Sequence, residues 1–155
     1  VLHAKLLPYM VDDIRRTLPD GIVIHDAKVV LGQAGSLSAL INRVIYTVPA
    51  SLWADRGGLL AQLDKITQLT TLTFNRETKD GFKQIDLRPV IFDLRLDTQS
   101  LIMTVGVGET GYARPTEVAT FLNEGLGCEI AALPFHRQAM FRMAEDGRRI
   151  DPMEL

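Results

Sequence analysis

The sequence is poor in the features that announce a reaction. Its 155 residues include one cysteine, Cys128. That excludes an intrachain disulfide, and any multi-cysteine zinc or iron–sulfur site made by this chain alone, and it suits a reducing compartment. No apolar run approaches the roughly 18 residues that a membrane helix needs. The opening VLHAKLLPYMVDD carries one lysine and is interrupted by Pro8, so it is not a signal peptide. A basic excess is also missing: the formal net charge is −2, and a nucleic-acid role would have to rest on a local patch. The three histidines, His3, His25 and His136, show no metal-ligand spacing. Gly35-Ser36-Leu37-Ser38 lacks the second glycine of a nucleophile elbow. Aromatic residues make up 6% of the chain and form no ladder for stacking bases; Tyr9 and Trp53 are expected to pack.

What is present is a soluble, globular composition, 46% hydrophobic and 23% charged, enough for one core or two small subdomains. Residues 1–97 hold 12 Lys/Arg against 11 Asp/Glu and residues 98–155 hold 5 against 8, so the acidic bias is C-terminal. Val11–Leu18 predicts a short helix stopped by Pro19-Asp20-Gly21. Ile22–Leu31 predicts a strand. Gln33–Ser38 is a connector leading into a turn of helix. Asn42–Val48 alternates with Val44, Tyr46 and Val48 on one face. Leu59, Leu60, Leu63 and Ile66 stripe a helix over Arg56–Leu69. Two hairpins follow, the first turning at Asp80-Gly81 and the second at Asp97–Ser100. In the second, Phe92, Leu94 and Leu96 point inward and pair with Leu101, Met103, Val105 and Val107. A helix from Pro115 and a last strand over Phe135–Met143 complete the order. From residue 42 this is a split βαβ, ferredoxin-like α+β pattern, an antiparallel sheet with two helices on one face and an elaborated middle. Residues 1–41 read as a partial N-terminal αβ unit and 42–155 as the ferredoxin-like domain. The lack of an initiator Met and the apolar start read as a piece of a longer protein.

Few motifs carry chemistry. GVGETG holds Gly106, Gly108 and Gly111 in the G-x-G-x-x-G pattern, but Pro115 starts the helix beyond the third glycine. Glu109 would also set a negative charge beside a phosphate, and the preceding strand is the second arm of a hairpin. This is a glycine loop rather than a dinucleotide fold. A looser role stays open, in which amides at Gly108 and Gly111 cradle a phosphate with Arg114. Asp86 and Arg88 share a face at a corner closed by Pro89. They form either a salt-bridged bracket or an arginine presented to an anion and oriented by Asp86. His136 and Arg137 are neighbours on a strand, so one is expected to be covered and the other exposed. Glu129 beside Cys128 raises the thiol and argues against a nucleophile. Lys79 and Lys83 on the first hairpin join Arg76, Arg88, Arg114, Arg137 and Arg142 as basic candidates, interleaved with acids.

Several stretches in order resemble one family: TLPDGIVIHDAKVV, SLSALINRVIYTV, RETKDGFKQIDLRPVI, GYARPTEVATFL, FHRQAMFRM and a terminal DPMEL. They resemble the radical-SAM-associated domain of unknown function, found alone or fused C-terminal to a radical S-adenosylmethionine protein. The likeness spans most of residues 17–155. The I-D-L-R-P corner and the R-P helix start are its most specific parts. It implies a cytoplasmic, non-catalytic accessory domain with no cofactor of its own, whose partner is a radical SAM domain or protein. The family's further N-terminal portion, with a phenylalanine-serine-histidine helix and a glycine-phenylalanine-asparagine-proline loop, has no counterpart here. Asp86, Arg88, Arg114 and Pro115 match family motif positions. Two readings follow. One is an RNA-recognition module that grips phosphates through Arg88 and Arg114, helped by Lys79 and Lys83. The other is a protein-docking domain for the radical enzyme. A hydrolase is disfavoured, because no nucleophile, base and orienter stand at usable spacing.

Overall fold

A computed structural model describes residues 8–28, 36–108 and 111–154. The chain divides into two compact units, Val1–Ser36 and Leu37–Leu155. In the first, helix α1 spans Pro8–Thr17. Asp12–Arg15 and Asp13–Arg16 pairs, one turn apart, line it. Arg15 also donates to the carbonyls of Ile24 and His25, folding the following segment back on the helix. Gly21, at φ +89, makes the turn after Pro19. The expected strand over Ile22–Leu31 does not form in Ile22–Lys28, whose backbone joins no ladder among the described residues; its last three residues lie outside them. Tyr9, expected to pack, is exposed.

The second unit carries α2 (Leu37–Leu40), β1 (Arg43–Pro49), α3 (Arg56–Gln68), β2 (Thr73–Thr78), β3 (Gly81–Asp86), β4 (Ile91–Leu96), β5 (Ser100–Gly106), α4 (Pro115–Leu122), β6 (His136–Met143) and β7 (Arg149–Ile150). Strands β4-β5-β1-β6-β7 form one sheet in that order, with every neighbour antiparallel. Set β7 aside and count β1, β4, β5 and β6 as the first to fourth strands. The order is then fourth, first, third, second, which is the ferredoxin-like split βαβ arrangement. Hairpin β2–β3 is a separate two-stranded sheet inserted between α3 and β4, the elaborated middle that the sequence indicated. The C-terminal tail adds a short edge strand, β7, that the sequence pattern had not suggested.

One sheet face is dry. Val44 and Val48 of β1, Leu94 of β4 and Leu101, Met103 and Val105 of β5 pack there against Leu59, Leu63 and Ile66 of α3 and Val118, Ala119 and Leu122 of α4. The α3 stripe is narrower than expected. Leu60 is exposed, because Leu59, Leu63 and Ile66 already follow the i, i+4, i+7 line that faces the sheet. Asp55 caps α3 by accepting from Gly58 N at 2.8 Å. Trp53 packs as expected.

Strand β4 departs from its alternation. The register with β5 shifts between Ile91 and Asp93. The bulge turns Ile91 inward and leaves Phe92, expected inward, 45% exposed. His136 and Arg137 are both exposed, so the expectation that one would be covered does not hold: they lie at the open start of β6. A second shift, in the β1–β6 register between Ile45 and Tyr46, disturbs the alternation there. Leu101→Ala, which removes a fully buried side chain from the central layer, is expected to cost about 2–5 kcal/mol in urea-induced unfolding.

Candidate functional site

The first hairpin and α4 face each other across a groove of about 320 Å³. Its floor is an ion pair. Arg76 Nε donates to Glu117 Oε1 at 2.7 Å and Arg76 Nη2 to Glu117 Oε2 at 2.6 Å, a bidentate fork. Both side chains are buried. Arg76 Nη2 also donates to the Tyr112 carbonyl, and the guanidinium lies 4.0 Å over the Tyr112 ring. Glu117 Oε2 accepts from Arg114 N at 2.9 Å, so the same carboxylate closes the first turn of α4. Hydrogen bonding to Glu117 raises the Arg76 pKa above its already high ordinary value, against a smaller opposing effect of burial. Beside this pair, Phe74 meets Phe121 edge to face, with ring centroids 5.9 Å apart.

Above the floor the walls are open. Phe82 on β3 is 79% exposed, and Arg114, Thr116 and Thr120 of α4 line the other side. The Arg114 side chain makes no hydrogen bond or ion pair with the described residues, and neither do Lys79 and Lys83 on the hairpin. Glu77 also lines the groove, so its charge is mixed. The hairpin turn is closed by Gly81 at φ +112 and by Thr78 Oγ1 donating to its carbonyl.

Asp86 and Arg88 are employed differently. Asp86 Oδ1 accepts from Leu72 N at 2.7 Å and from Arg88 N at 3.0 Å. These bonds, Leu72 first, hold its carboxyl below the usual carboxylate range, and the Arg88 charge adds to them. Arg88 does not pair with Asp86 through its side chain. Its Nε, Nη1 and Nη2 donate to the carbonyls of Leu69, Ile91 and Thr67, closing the C-terminal end of α3 and the start of β4. The corner is therefore a bracket, made of backbone caps rather than of an Asp–Arg ion pair. An arginine engaged by three carbonyls has little left to offer an anion.

Gly108 and Gly111 both take positive φ, +101 and +119. The Gly111 amide closes a turn on the Gly108 carbonyl. A Cβ on Gly111 would stand 2.9 Å from Val90 Cγ1, so close packing on the bracket segment, rather than a bound phosphate, accounts for that glycine. Arg114 and Gly111 thus face different hollows, the groove above and a second one on the other side of Val90. The feature that sequence reasoning missed is Arg43, at the start of β1, where nothing in the pattern distinguishes it. Among the described residues no cluster of His, Cys, Asp and Glu could hold a metal, and no helix is long and apolar enough to cross a membrane. Burial first, and Glu129 second, raise the Cys128 thiol, so it is a poor nucleophile at neutral pH.

Glu117→Ala strands the buried Arg76 charge and is expected to cost about 3–5 kcal/mol of stability, while Arg76→Met/Glu117→Leu recovers most of it in urea titration. Asp86 stabilises as a carboxylate. Because its native pKa lies below the unfolded value, that stabilisation is full above roughly pH 4 and fades as pH falls through the native value. The melting-temperature gap between wild type and Asp86→Ala is therefore expected to be widest at neutral pH and to close in acid.

No curated protein matches the chain significantly, and no solved structure does. One family model matches over residues 6–115, covering the hairpin, the Asp-Leu-Arg-Pro corner and the Arg-Pro start of α4. The chain belongs to that family, described as an uncharacterized protein conserved in bacteria (DUF2344).

Proposed function

We propose that the chain is a non-catalytic accessory module of a cytoplasmic, radical-SAM-linked protein, and that it binds single-stranded RNA along the groove between hairpin β2–β3 and α4. One observation carries the reading: Arg114, an exposed cation without an acidic partner among the described residues, lines a groove whose rim holds an exposed phenylalanine, and two more such cations, Lys79 and Lys83, stand on the hairpin that borders it. Phosphates need unpaired cations, and an unstacked base needs an aromatic face. Arg114 and the hairpin lysines supply the first and Phe82 the second. The Thr116 hydroxyl adds a donor and acceptor at the height of the sugar. Arg88 takes no part beyond holding the bracket from which the hairpin springs.

Docking of the radical enzyme is the second reading. It is favoured by the same exposed Phe82, with Tyr112 exposed beside the ion pair. Fluorescence anisotropy with labelled tRNA and single-stranded ribosomal RNA fragments separates the two. RNA binding through three phosphate contacts is expected to weaken with salt at a log–log slope of about −2. Arg114→Ala is expected to flatten that slope by roughly 0.7, and Phe82→Ala to weaken binding by about 1–3 kcal/mol without changing it. RNA binding absent at low salt, with capture of the radical enzyme lost in Phe82→Ala, would replace RNA recognition by docking.

A further inference from the structure

Apart from that groove, the β4 bulge and the ends of β1, β5 and β6 enclose a solvent-open hollow of about 390 Å³. Arg43, Phe92, Val90, Gly106, Gly111 and Glu145 line it. The Arg43 guanidinium lies 3.4 Å over the centre of the Phe92 ring, which holds its plane fixed. One of its nitrogens, Nη1, donates to the Asn42 carbonyl, and among the described residues Nε and Nη2 have no acceptor. Among the described residues no carboxylate pairs with it: Asp93, next to Phe92, is engaged by Arg95. Partial burial lowers the Arg43 pKa. Its Nε–Nη2 edge matches an oxyanion in two-point geometry.

The back wall is made close and smooth by glycine. A Cβ on Gly106 would meet the Gly111 carbonyl at 3.0 Å and Val90 Cβ at 3.2 Å. The Asn42 side chain, also in the wall, is occupied by both main-chain groups of Met143 and is rigid. The exposed Glu145 carboxylate, with no partner among the described residues, stands on the same hollow.

We propose that this hollow binds a small organic oxyanion, a phosphate monoester or a carboxylate, whose charged group takes the free fork of Arg43 while a hydrogen-bond donor elsewhere on the molecule meets Glu145. The volume lies within the range of small-molecule sites. The bulge is what creates the site: without it Phe92 would point into the core, and Arg43 would have no plane to rest on.

The test is NMR titration of the full chain with inorganic phosphate, with acetate and with adenosine 5′-monophosphate, reading the Arg43 side-chain Nε–H and the amides of Phe92, Gly106 and Gly111. Saturable shifts at these positions are expected with at least one probe, and the tighter of phosphate and acetate identifies the oxyanion class. Arg43→Met is expected to weaken binding by about tenfold or more, the loss of a charge-assisted fork. If Arg43→Met is unfolded by circular dichroism, Arg43→Lys, which keeps the charge and loses the fork, is read in its place and is expected to bind several-fold more weakly. Glu145→Gln, at an exposed position, is expected to tighten inorganic phosphate by removing a like charge. The proposal is overturned if none of the three probes produces saturable shifts at these residues, or if the folded Arg43 variant binds as tightly as wild type.

Discussion

The buried Arg76–Glu117 pair is the constraint on which the arrangement around the groove depends. Among the described residues these are the only buried charged side chains. Their desolvation is offset only because every part of the fork is satisfied: two bonds between them, one to the Tyr112 carbonyl and one from the Arg114 amide. The pair joins segments 41 residues apart, so it cannot form until the hairpin is folded and α4 is docked. The exposed Lys65–Glu124 bridge between α3 and the end of α4 makes a contrast. Screened and mobile, it adds little. An apolar pair could hold the hairpin as well as Arg76 and Glu117 do. A fixed fork also sets its angle, and so sets where Phe82 stands.

Around this pair the molecule separates a regular part from a specialised one. The antiparallel sheet and the stripes of α3 and α4 follow the ordinary physics of one dry face, and little of the chemistry lies there. Several cations without acidic partners among the described residues sit where regularity breaks: Arg114 at the start of α4, the lysines on an inserted hairpin, and Arg43 beside a bulge. Asp86 and Arg88 explain how a break is tolerated. A carboxylate that receives two amides, and a guanidinium that serves three carbonyls, satisfy the backbone groups which a corner leaves without partners.

Much of the fold was legible because it rests on periodicity. Val44 and Val48, or Leu101, Met103 and Val105, alternate cleanly, and Asp80-Gly81 names its own turn. The order of elements then implied the sheet. The bulge at Ile91–Asp93 was not legible, since an extra residue leaves the apolar count of IFDLRL unchanged while moving Phe92 to the other face. The Arg76–Glu117 pair was hidden by sequence distance, and Arg43 by its place in an unremarkable strand. Of the residues singled out beforehand, Arg114 lines one groove, the two lysines lie on the hairpin that borders it, and Gly111 lines another hollow. The Asp-Leu-Arg-Pro corner was recognised as special, but its hydrogen bonds run to main-chain groups that no side-chain pattern records.

The corner has one more consequence. The hairpin leaves the core at Leu72 and re-enters at Leu87, and the Leu87 amide bonds to the Leu72 carbonyl at 2.9 Å while Asp86 holds the Leu72 amide. The inserted segment therefore begins and ends at the same point in space, behind a latch that does not involve its tip. The sheet register is set entirely on the other side of that latch. Loop closure has already been met at the base, so strands can lengthen or shorten there at small entropic cost. The hairpin's length and charges can therefore change without moving β4 from its place beside β5.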